Sequence, residues 1–198
     1  MSKSLIVIII LGLILLIGGC GGCNSYNNMN ELKQKANEAW SNVENQYKRR
    51  SDLIGNLVNT VKGAANFEQN TLTQVIQARA SATQIKVDPN NLTPEKLQQF
   101  QAAQGQLSQA LGRLMVVSEQ YPQLRATEAF ANLQTELSST ENKIATERSR
   151  YNEVVKNYNT KITNFPNVIY AGMLGFKERG FFQATEAEKE VPKVDFSK

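Results

Sequence analysis

Residues 130–164 read FANLQTELSSTENKIATERSRYNEVVKNYNTKITN, and this stretch decides the fold class. Its large apolar residues recur at steps of three, four or seven positions: Phe130, Leu133, Leu137, Ile144, Tyr151, Val155, Tyr158 and Ile162. This period places them on one face of a long amphipathic α-helix. The body of the chain is also rich in Gln, Ala, Glu and Lys, which favour helices over strands. We therefore predict an all-α fold.

The rest of the body repeats this helical period in three further segments, so the sequence predicts four helices. Turn signals separate the segments, at residues 63–66, 88–91, 121–122 and 165–166. The helices are predicted to begin at residues 28, 67, 94 and 123. The predicted architecture is an elongated antiparallel up-and-down bundle behind an N-terminal membrane anchor, with the first two helices either separate or continuous.

Local sequence signals define the predicted helix starts. Asn66 has the side chain of an N-cap for the second helix, and Thr93 caps the third, with Pro94 at the first helical position. Tyr121-Pro122 forces the next interruption, because the residue before a proline avoids the helical conformation. The last helix is predicted to follow at once, over residues 123–164.

Residues 1–23 form a separate segment that is predicted to hold the protein at a membrane. Residues 5–17 read LIVIIILGLILLI, without a charge. A helix over residues 5–22 is just long enough to cross about 30 Å of hydrocarbon. Alternatively the segment is a signal peptide, because residues 16–20 resemble the bacterial lipobox, in which the cysteine, here Cys20, is acylated and becomes the N-terminus. Both alternatives place the body of the protein outside the cytoplasm.

The composition argues against catalysis. Histidine is absent, and with it the usual general base, metal ligand and pH switch. The two cysteines, Cys20 and Cys23, lie in the anchor segment, so the body has no thiol nucleophile, zinc site or disulfide. The net charge of +4 is spread without a basic stripe. We therefore expect no catalytic residue, no metal, no cofactor and no nucleic-acid partner.

The chain after the anchor divides into a predicted helical domain, residues 24–165, and an aromatic tail, residues 166–198. The tail contains Phe176, Phe181 and Phe182 and has no sustained helical period. We expect it to fold back as a strap that buries its rings against the helices. The alternative is an exposed aromatic arm for a partner or a lipid surface.

The densest basic run is Lys48-Arg49-Arg50. Lys48 and Arg49 are expected to face solvent, and with the three tail phenylalanines they form the candidate interaction surface. Arg50 falls on the apolar stripe and needs a carboxylate partner, and either Arg50 or Arg79 could pair with Glu136 or Glu141 of the last helix. Such a polar layer would fix the register of the helices more than it would stabilise them.

Several strings in this sequence match those of a known family. They are SYN (25–27), EAWSNVENQYKRRSDLIGNLVNTVKG (38–63), ARA (78–80), EQYPQLRA (119–126), FANLQTELSSTENKIATERSRYNEVVKNYN (130–159), NFPN (164–167) and GFKER (175–179). Together they resemble the LemA family over nearly the whole chain after the anchor. Where that family reads DLIPNLV, this chain has Gly55 in place of the proline, so a kink is permitted there but not enforced. The resemblance implies a bacterial, membrane-anchored, extracytoplasmic helical bundle, and no catalytic or cofactor-binding residues come with it.

For function, we expect a scaffold or adaptor that presents its helices to another envelope protein. The alternative is a membrane-surface protein that engages lipid through the basic run and the aromatic tail. That alternative requires Lys48, Arg49 and the tail phenylalanines to share one exposed face near the anchor.

Overall fold

A computed structural model describes the backbone of residues 3–63 and 67–183; of the side chains before residue 24, it describes those of Ser4 and Ile9. Within these residues the chain forms six α-helices, one 3-10 helix and no strand. They are α1 (Lys3–Lys62), α2 (Gln69–Gln84), the 3-10 helix (Pro89–Asn91), α3 (Pro94–Ser118), α4 (Pro122–Arg125), α5 (Glu128–Thr163) and α6 (Asn167–Met173). The prediction of an all-α fold is confirmed. The predicted number of four helices is wrong, because α4 and α6 are separate helices too short to show a helical period.

The longest predicted helix begins later than expected. The chain breaks at Tyr121-Pro122 as predicted, but Pro122 opens the single turn α4 instead of α5. Thr127 then caps α5, because its Oγ1 accepts a hydrogen bond from the Phe130 N–H at 3.4 Å. The start predicted at residue 123 is therefore wrong, and α5 begins at Glu128.

The starts predicted at residues 28 and 67 also differ from the structure, in which α1 begins at Lys3 and α2 at Gln69. α1 and α2 are separate helices, and Glu68 occupies the N-cap position of α2. The predicted cap, Asn66, lies outside the described residues. Thr93 caps α3 as predicted: its hydroxyl accepts a hydrogen bond from the Lys96 N–H, and Pro94 is the first helical residue.

The two longest helices, α1 and α5, lie antiparallel along each other. The ring of Trp40 contacts that of Tyr151, and further along α1 Arg49 pairs with Glu136. Residues nearer the C-terminus of α1 therefore contact residues nearer the N-terminus of α5, as expected for antiparallel helices. α2 packs on α3 and on α1, which is unbroken at Gly55.

The buried apolar side chains that the structure describes form three clusters that follow one another along α1. The largest joins the C-terminal half of α1 to α2, α3, α4 and the start of α5. The middle cluster surrounds Trp40 and contains most of the buried aromatic rings. The smallest contains Met29, Tyr158, Ile162 and Ala171, beside the N-terminal part of α1. The functional site proposed below lies over the middle cluster.

The predicted anchor lies mostly outside the described side chains. The backbone of α1 runs unbroken through the boundary predicted after residue 23. Among the described residues, no helix combines the length and apolarity needed to cross a membrane. The side chain of Cys20, the predicted acylation site, lies outside the described residues, so both forms of the anchor stay predictions.

Candidate functional site: a groove for the C-terminal segment

The chain after α6 lies across the other helices, and we call residues 175–183 the tail segment. Gly175, with a φ of 74°, turns the chain after α6, in a backbone region that favours glycine. The tail segment has no regular secondary structure. It lies in a groove between α1, α3 and α5. We call this the tail groove and define it by the nine residues that hydrogen-bond to the tail segment or pack on the Phe182 ring: Asn37, Trp40, Leu92, Gln101, Arg148, Tyr151, Asn152, Tyr158 and Asn159.

Side-chain amides hold the backbone of the tail segment. Asn159 donates to the carbonyl of Arg179 at 2.9 Å and accepts from its N–H at 3.0 Å. Asn152 makes the same pair of bonds with the carbonyl and N–H of Phe182, at 2.9 and 2.8 Å. Gln101 repeats the arrangement with Gln183, at 3.1 and 3.4 Å. Each side-chain amide therefore makes the pair of hydrogen bonds to one residue's N–H and carbonyl that a neighbouring β-strand would otherwise make.

Further hydrogen bonds satisfy the backbone between these amides. The Tyr158 hydroxyl donates to the carbonyl of Lys177 at 3.0 Å, and the Tyr151 hydroxyl donates to that of Gly180 at 3.2 Å. The Gly180 N–H donates to the carbonyl of Leu92 at 3.1 Å. Because these bonds reach main-chain atoms, they hold a non-helical peptide without reading its side chains.

Gly180 brings the tail segment into direct contact with the start of α3. A Cβ added at this position would lie 2.8 Å from the Cα of Pro94 and 3.3 Å from the Thr93 carbonyl oxygen. Both are backbone atoms of the capped helix start, so neither can move aside easily. A side chain at position 180 would therefore lift the tail segment out of the groove.

Phe182 is the apolar anchor of the tail segment. Its side chain is 5% exposed and stacks on Trp40, with centroids 6.1 Å apart and planes 14° apart. Tyr151 meets the ring edge-to-face at 5.4 Å, and the Arg148 guanidinium lies 5.2 Å from its centroid. These contacts add stacking and cation–π attraction to the burial of an aromatic ring.

Arg179 is the buried charged residue of the tail segment and is 5% exposed. Its Nη2 donates to Asn37 at 2.5 Å, and its guanidinium lies 5.3 Å from the centroid of the Tyr158 ring. Burial lowers the pKa of Arg179 and raises that of Tyr158. Burial also raises the pKa of Tyr151 to about 12, with Arg179 opposing the shift. The groove thus keeps both tyrosines as neutral hydrogen-bond donors.

The sequence contains a signal for this groove that the helical period did not reveal. Tyr151-Asn152 and Tyr158-Asn159 repeat one dipeptide after seven residues. Seven residues are nearly two helical turns, so both hydroxyls and both amides project from the same side of α5. The tyrosines were predicted as core residues, and the role of the two asparagines was missed.

The structure does not bring the five residues of the candidate interaction surface together. Lys48 and Arg49 are exposed, and Arg49 Nη2 lies 2.7 Å from Glu136 Oε2. Phe182 is buried, which contradicts its place on an exposed surface and agrees with the strap that we expected. Burial of the ring against Trp40 and Tyr151 is more favourable than its exposure to water.

The other two tail phenylalanines differ in exposure. Phe181 is 43% exposed, and Phe176 is half-buried and meets Tyr26 edge-to-face at 5.9 Å. Tyr26 and Arg49 are separated by roughly 35 Å along α1, at 1.5 Å per residue. A role for Lys48 and Arg49 in binding stays a prediction, separate from the tail.

The polar layer predicted around Arg50 is present. Arg50 Nη1 lies 3.1 Å from Glu141, one of the two candidate partners, and Nη2 donates to Gln104 at 2.5 Å. The side chain of Arg50 is 4% exposed and that of Glu141 is 55% exposed. Within the described residues, no group of three or more His, Cys, Asp or Glu is placed to hold a metal ion. The layer is a structural ion pair between α1 and α5.

The helix packing and the tail groove together define an all-α protein that binds its own tail segment. The sequence model of the LemA family matches residues 39–196, and this chain belongs to that family. The match covers every residue of the tail groove except Asn37.

Curated relatives include proteins of two kinds. Protein LemA of Metamycoplasma hominis is 31% identical over 79% of this chain and 68% of its own length. Magnetosome protein MamQ 2 of Paramagnetospirillum magneticum is 31% identical over 74% of this chain. Magnetosome protein MamQ of Magnetospirillum gryphiswaldense is 29% identical over the same share. This chain spans 60% of the length of these two MamQ proteins.

Proposed function

We propose that this LemA-family protein is a membrane-anchored, non-catalytic scaffold whose helices form an elongated antiparallel bundle outside the cytoplasm. In this proposal the tail groove binds a segment of another envelope protein, in competition with the chain's own tail segment. The observation that carries it is the set of amide and hydroxyl bonds to tail backbone atoms. Bonds of this kind suit a peptide of any origin.

Two positions give the groove its selectivity. The site occupied by Gly180 has no room for a side chain beside Pro94. The site occupied by Phe182 is lined by the rings of Trp40 and Tyr151 and therefore selects an aromatic residue. The partner segment accordingly carries glycine two residues before an aromatic residue.

The membrane anchor in this proposal is the apolar segment of residues 5–22. The test is the intact mass of the protein extracted from its native membrane. A mass that lacks residues 1–19 and includes acyl chains assigns the anchor to Cys20, and a full-length mass assigns it to a spanning helix. The unmodified mass of a chain without residues 1–23 would contradict both forms. Labelling of exposed Lys48 in intact cells by a membrane-impermeant reagent tests the side of the membrane.

Lipid engagement through the basic run and the aromatic tail has less support. It requires exposed tail phenylalanines beside Lys48 and Arg49, whereas Phe182 is buried. The basic run also lies roughly 40 Å along α1 from residue 23, at 1.5 Å per residue. Peptide binding in the tail groove requires neither exposed tail phenylalanines nor their proximity to Lys48 and Arg49.

The direct test is binding of a fluorescent peptide of residues 175–187 to the full-length chain in nanodiscs. The wild-type groove is occupied by its own tail segment, which reduces the apparent affinity for a competitor. Phe182→Ala in the chain removes the anchoring ring, at a cost of roughly 3–5 kcal/mol for a buried phenylalanine. We expect this variant to bind the wild-type peptide more tightly than the wild-type chain does.

Phe181→Ala is the matched control, because this neighbouring ring is 43% exposed. That chain is expected to bind the peptide as the wild type does, and a peptide with alanine at position 182 is expected to lose affinity. Equal binding by the Phe181 and Phe182 variants would contradict the proposed groove function. A crosslinking pull-down from native membranes, again comparing these two variants, then identifies the partner.

A further inference from the structure

Among the side chains described after residue 23, the exposed apolar ones are concentrated at one end of the protein. Nine large apolar residues described after residue 23 are exposed, and six of them are Tyr26 and residues within 165–174. We call the second group the α6 platform; it consists of Phe165, Val168, Ile169, Met173 and Leu174, of which Phe165 and Met173 are more than 80% exposed. Single exposed apolar residues need no explanation, but a group of this kind indicates a binding surface.

The α6 helix is apolar on both of its sides. Ala171 faces inwards, 4% exposed, and packs in the cluster with Met29 and Tyr158. Ile169 and Met173 occupy the opposite side, about 40° from one another around the helix, and exposed Val168 lies between Ala171 and Ile169. The residues from Phe165 to Phe176 include no charge. A short helix with this composition is unsuited to face water on one side.

The α6 platform lies beside the part of α1 that follows the apolar N-terminal segment. The Ser25 hydroxyl of α1 is hydrogen-bonded to the Asn167 side chain at the start of α6. Ser25 follows Gly22, the end of the apolar segment, by only about 4–5 Å of helix rise, and Cys20 by about 7–8 Å. A spanning helix and an acylated Cys20 therefore place α6 at the same level.

We propose that the α6 platform inserts into the interfacial region of the bilayer leaflet that holds the N-terminal anchor. This inference rests on the proposed membrane anchor and adds a second point of attachment to it. Interfacial helices bury their apolar face roughly 5–10 Å into the boundary between headgroups and acyl chains. Lys161 and Lys177 flank the uncharged run in sequence. Lys161 is partly exposed and Lys177 is exposed, so their ammonium groups can lie among the lipid headgroups.

Continuity with the anchor is the reason to choose lipid over a protein partner. α1 is one unbroken helix from Lys3 onwards, so the distance between anchor and platform is set by the helix itself. Two attachment points would fix the tilt of the protein on the membrane, whereas the anchor alone leaves α1 free to tilt. The tail groove would then face a defined direction.

The test is tryptophan quenching by brominated phospholipids in phosphatidylcholine vesicles that carry the full-length chain. Met173→Trp places the probe on the platform, and Val116→Trp is the matched control, because Val116 is 66% exposed on α3, outside the platform. The native Trp40 is buried and contributes equally to both variants. We expect lipid brominated near the headgroup end of the acyl chain to quench Met173→Trp well beyond Val116→Trp. Quenching is expected to persist at high salt, since the contact is apolar.

The possible results separate this inference from the anchor proposal. A chain that fails to float with vesicles overturns both proposals. A chain that floats while Met173→Trp is quenched no more than Val116→Trp overturns the platform alone. Blue-shifted emission from Met173→Trp without bromine quenching assigns the surface to a protein partner, such as a second copy of the chain, and also overturns lipid contact.

Discussion

Gly180 is the residue on which the seating of the tail segment depends most directly. Gly180→Ala would place a Cβ 2.8 Å from the Cα of Pro94, and relieving such an overlap costs about 1–3 kcal/mol. We expect a lower free energy of unfolding in urea and faster proteolytic cleavage within the tail segment. Gly112→Ala is the control, because nothing lies within 4 Å of the added Cβ in α3. Replacing that helical glycine is expected to stabilise the protein by up to ~1 kcal/mol. Equal effects of the two substitutions would contradict the close approach at Gly180.

Ionisation of Tyr151 is expected to lower the free energy of unfolding at alkaline pH. Burial raises its folded-state pKa to about 12, whereas an exposed tyrosine in the unfolded chain titrates near pH 10. The unfolded state therefore releases its proton first. The contribution of neutral Tyr151 is complete below about pH 10 and is lost as the pH rises to about 12.

The difference between the Tyr151 pKa in the folded chain, about 12, and that in the unfolded chain, about 10, corresponds to roughly 2–3 kcal/mol of unfolding free energy. Tyr151→Phe is expected to flatten this loss, and adding Tyr158→Phe to flatten it further, because burial raises that pKa too. The measurement is urea unfolding between pH 9 and pH 12. Parallel profiles for the wild type and Tyr151→Phe, offset by a constant amount, would contradict the role assigned to ionisation.

At the scale of elements, the ion pairs between α1 and α5 differ in burial. Glu141→Gln leaves the guanidinium of Arg50, whose side chain is 4% exposed, without its carboxylate. Glu136→Gln does the same to Arg49, whose side chain is 51% exposed. The expected losses are about 1–3 kcal/mol for Glu141→Gln and about 0–1 kcal/mol for Glu136→Gln. Both are measured by urea unfolding, and a larger loss at Glu136 would contradict this ranking.

Sequence reasoning succeeded for elements whose ends have a local chemical cause. Thr93-Pro94 predicted the start of α3, and the stripe position of Arg50 predicted a carboxylate partner, which the structure shows to be Glu141, one of the two candidates. It failed where a helix turn is too short to show a period, as in α4 and α6. It also missed the tail groove, because a non-helical segment held by Asn152 and Asn159 depends on contacts between residues distant in sequence.

At the scale of the whole molecule, the three apolar clusters predict a gradient of stability along α1. Among the described residues, the cluster that holds α6 contains four buried residues, compared with fifteen in the cluster at the other end. Segments with few buried apolar contacts open at lower free energy than the whole domain. We therefore expect the amides of α6 and the end of α5 to exchange with solvent before those of α2 and α3.

Two core substitutions of similar size test whether this gradient reflects separate unfolding units. Met29 and Leu107 are both no more than 1% exposed, in the smallest and the largest cluster respectively. Truncation of either to alanine removes about 2–5 kcal/mol of packing. If the units are separate, Met29→Ala is expected to speed amide exchange only in α6 and the adjoining end of α5, while Leu107→Ala speeds it in α2 and α3 and leaves α6, which opens locally, unchanged. If Met29→Ala also speeds exchange in α2 and α3, the molecule unfolds as one unit.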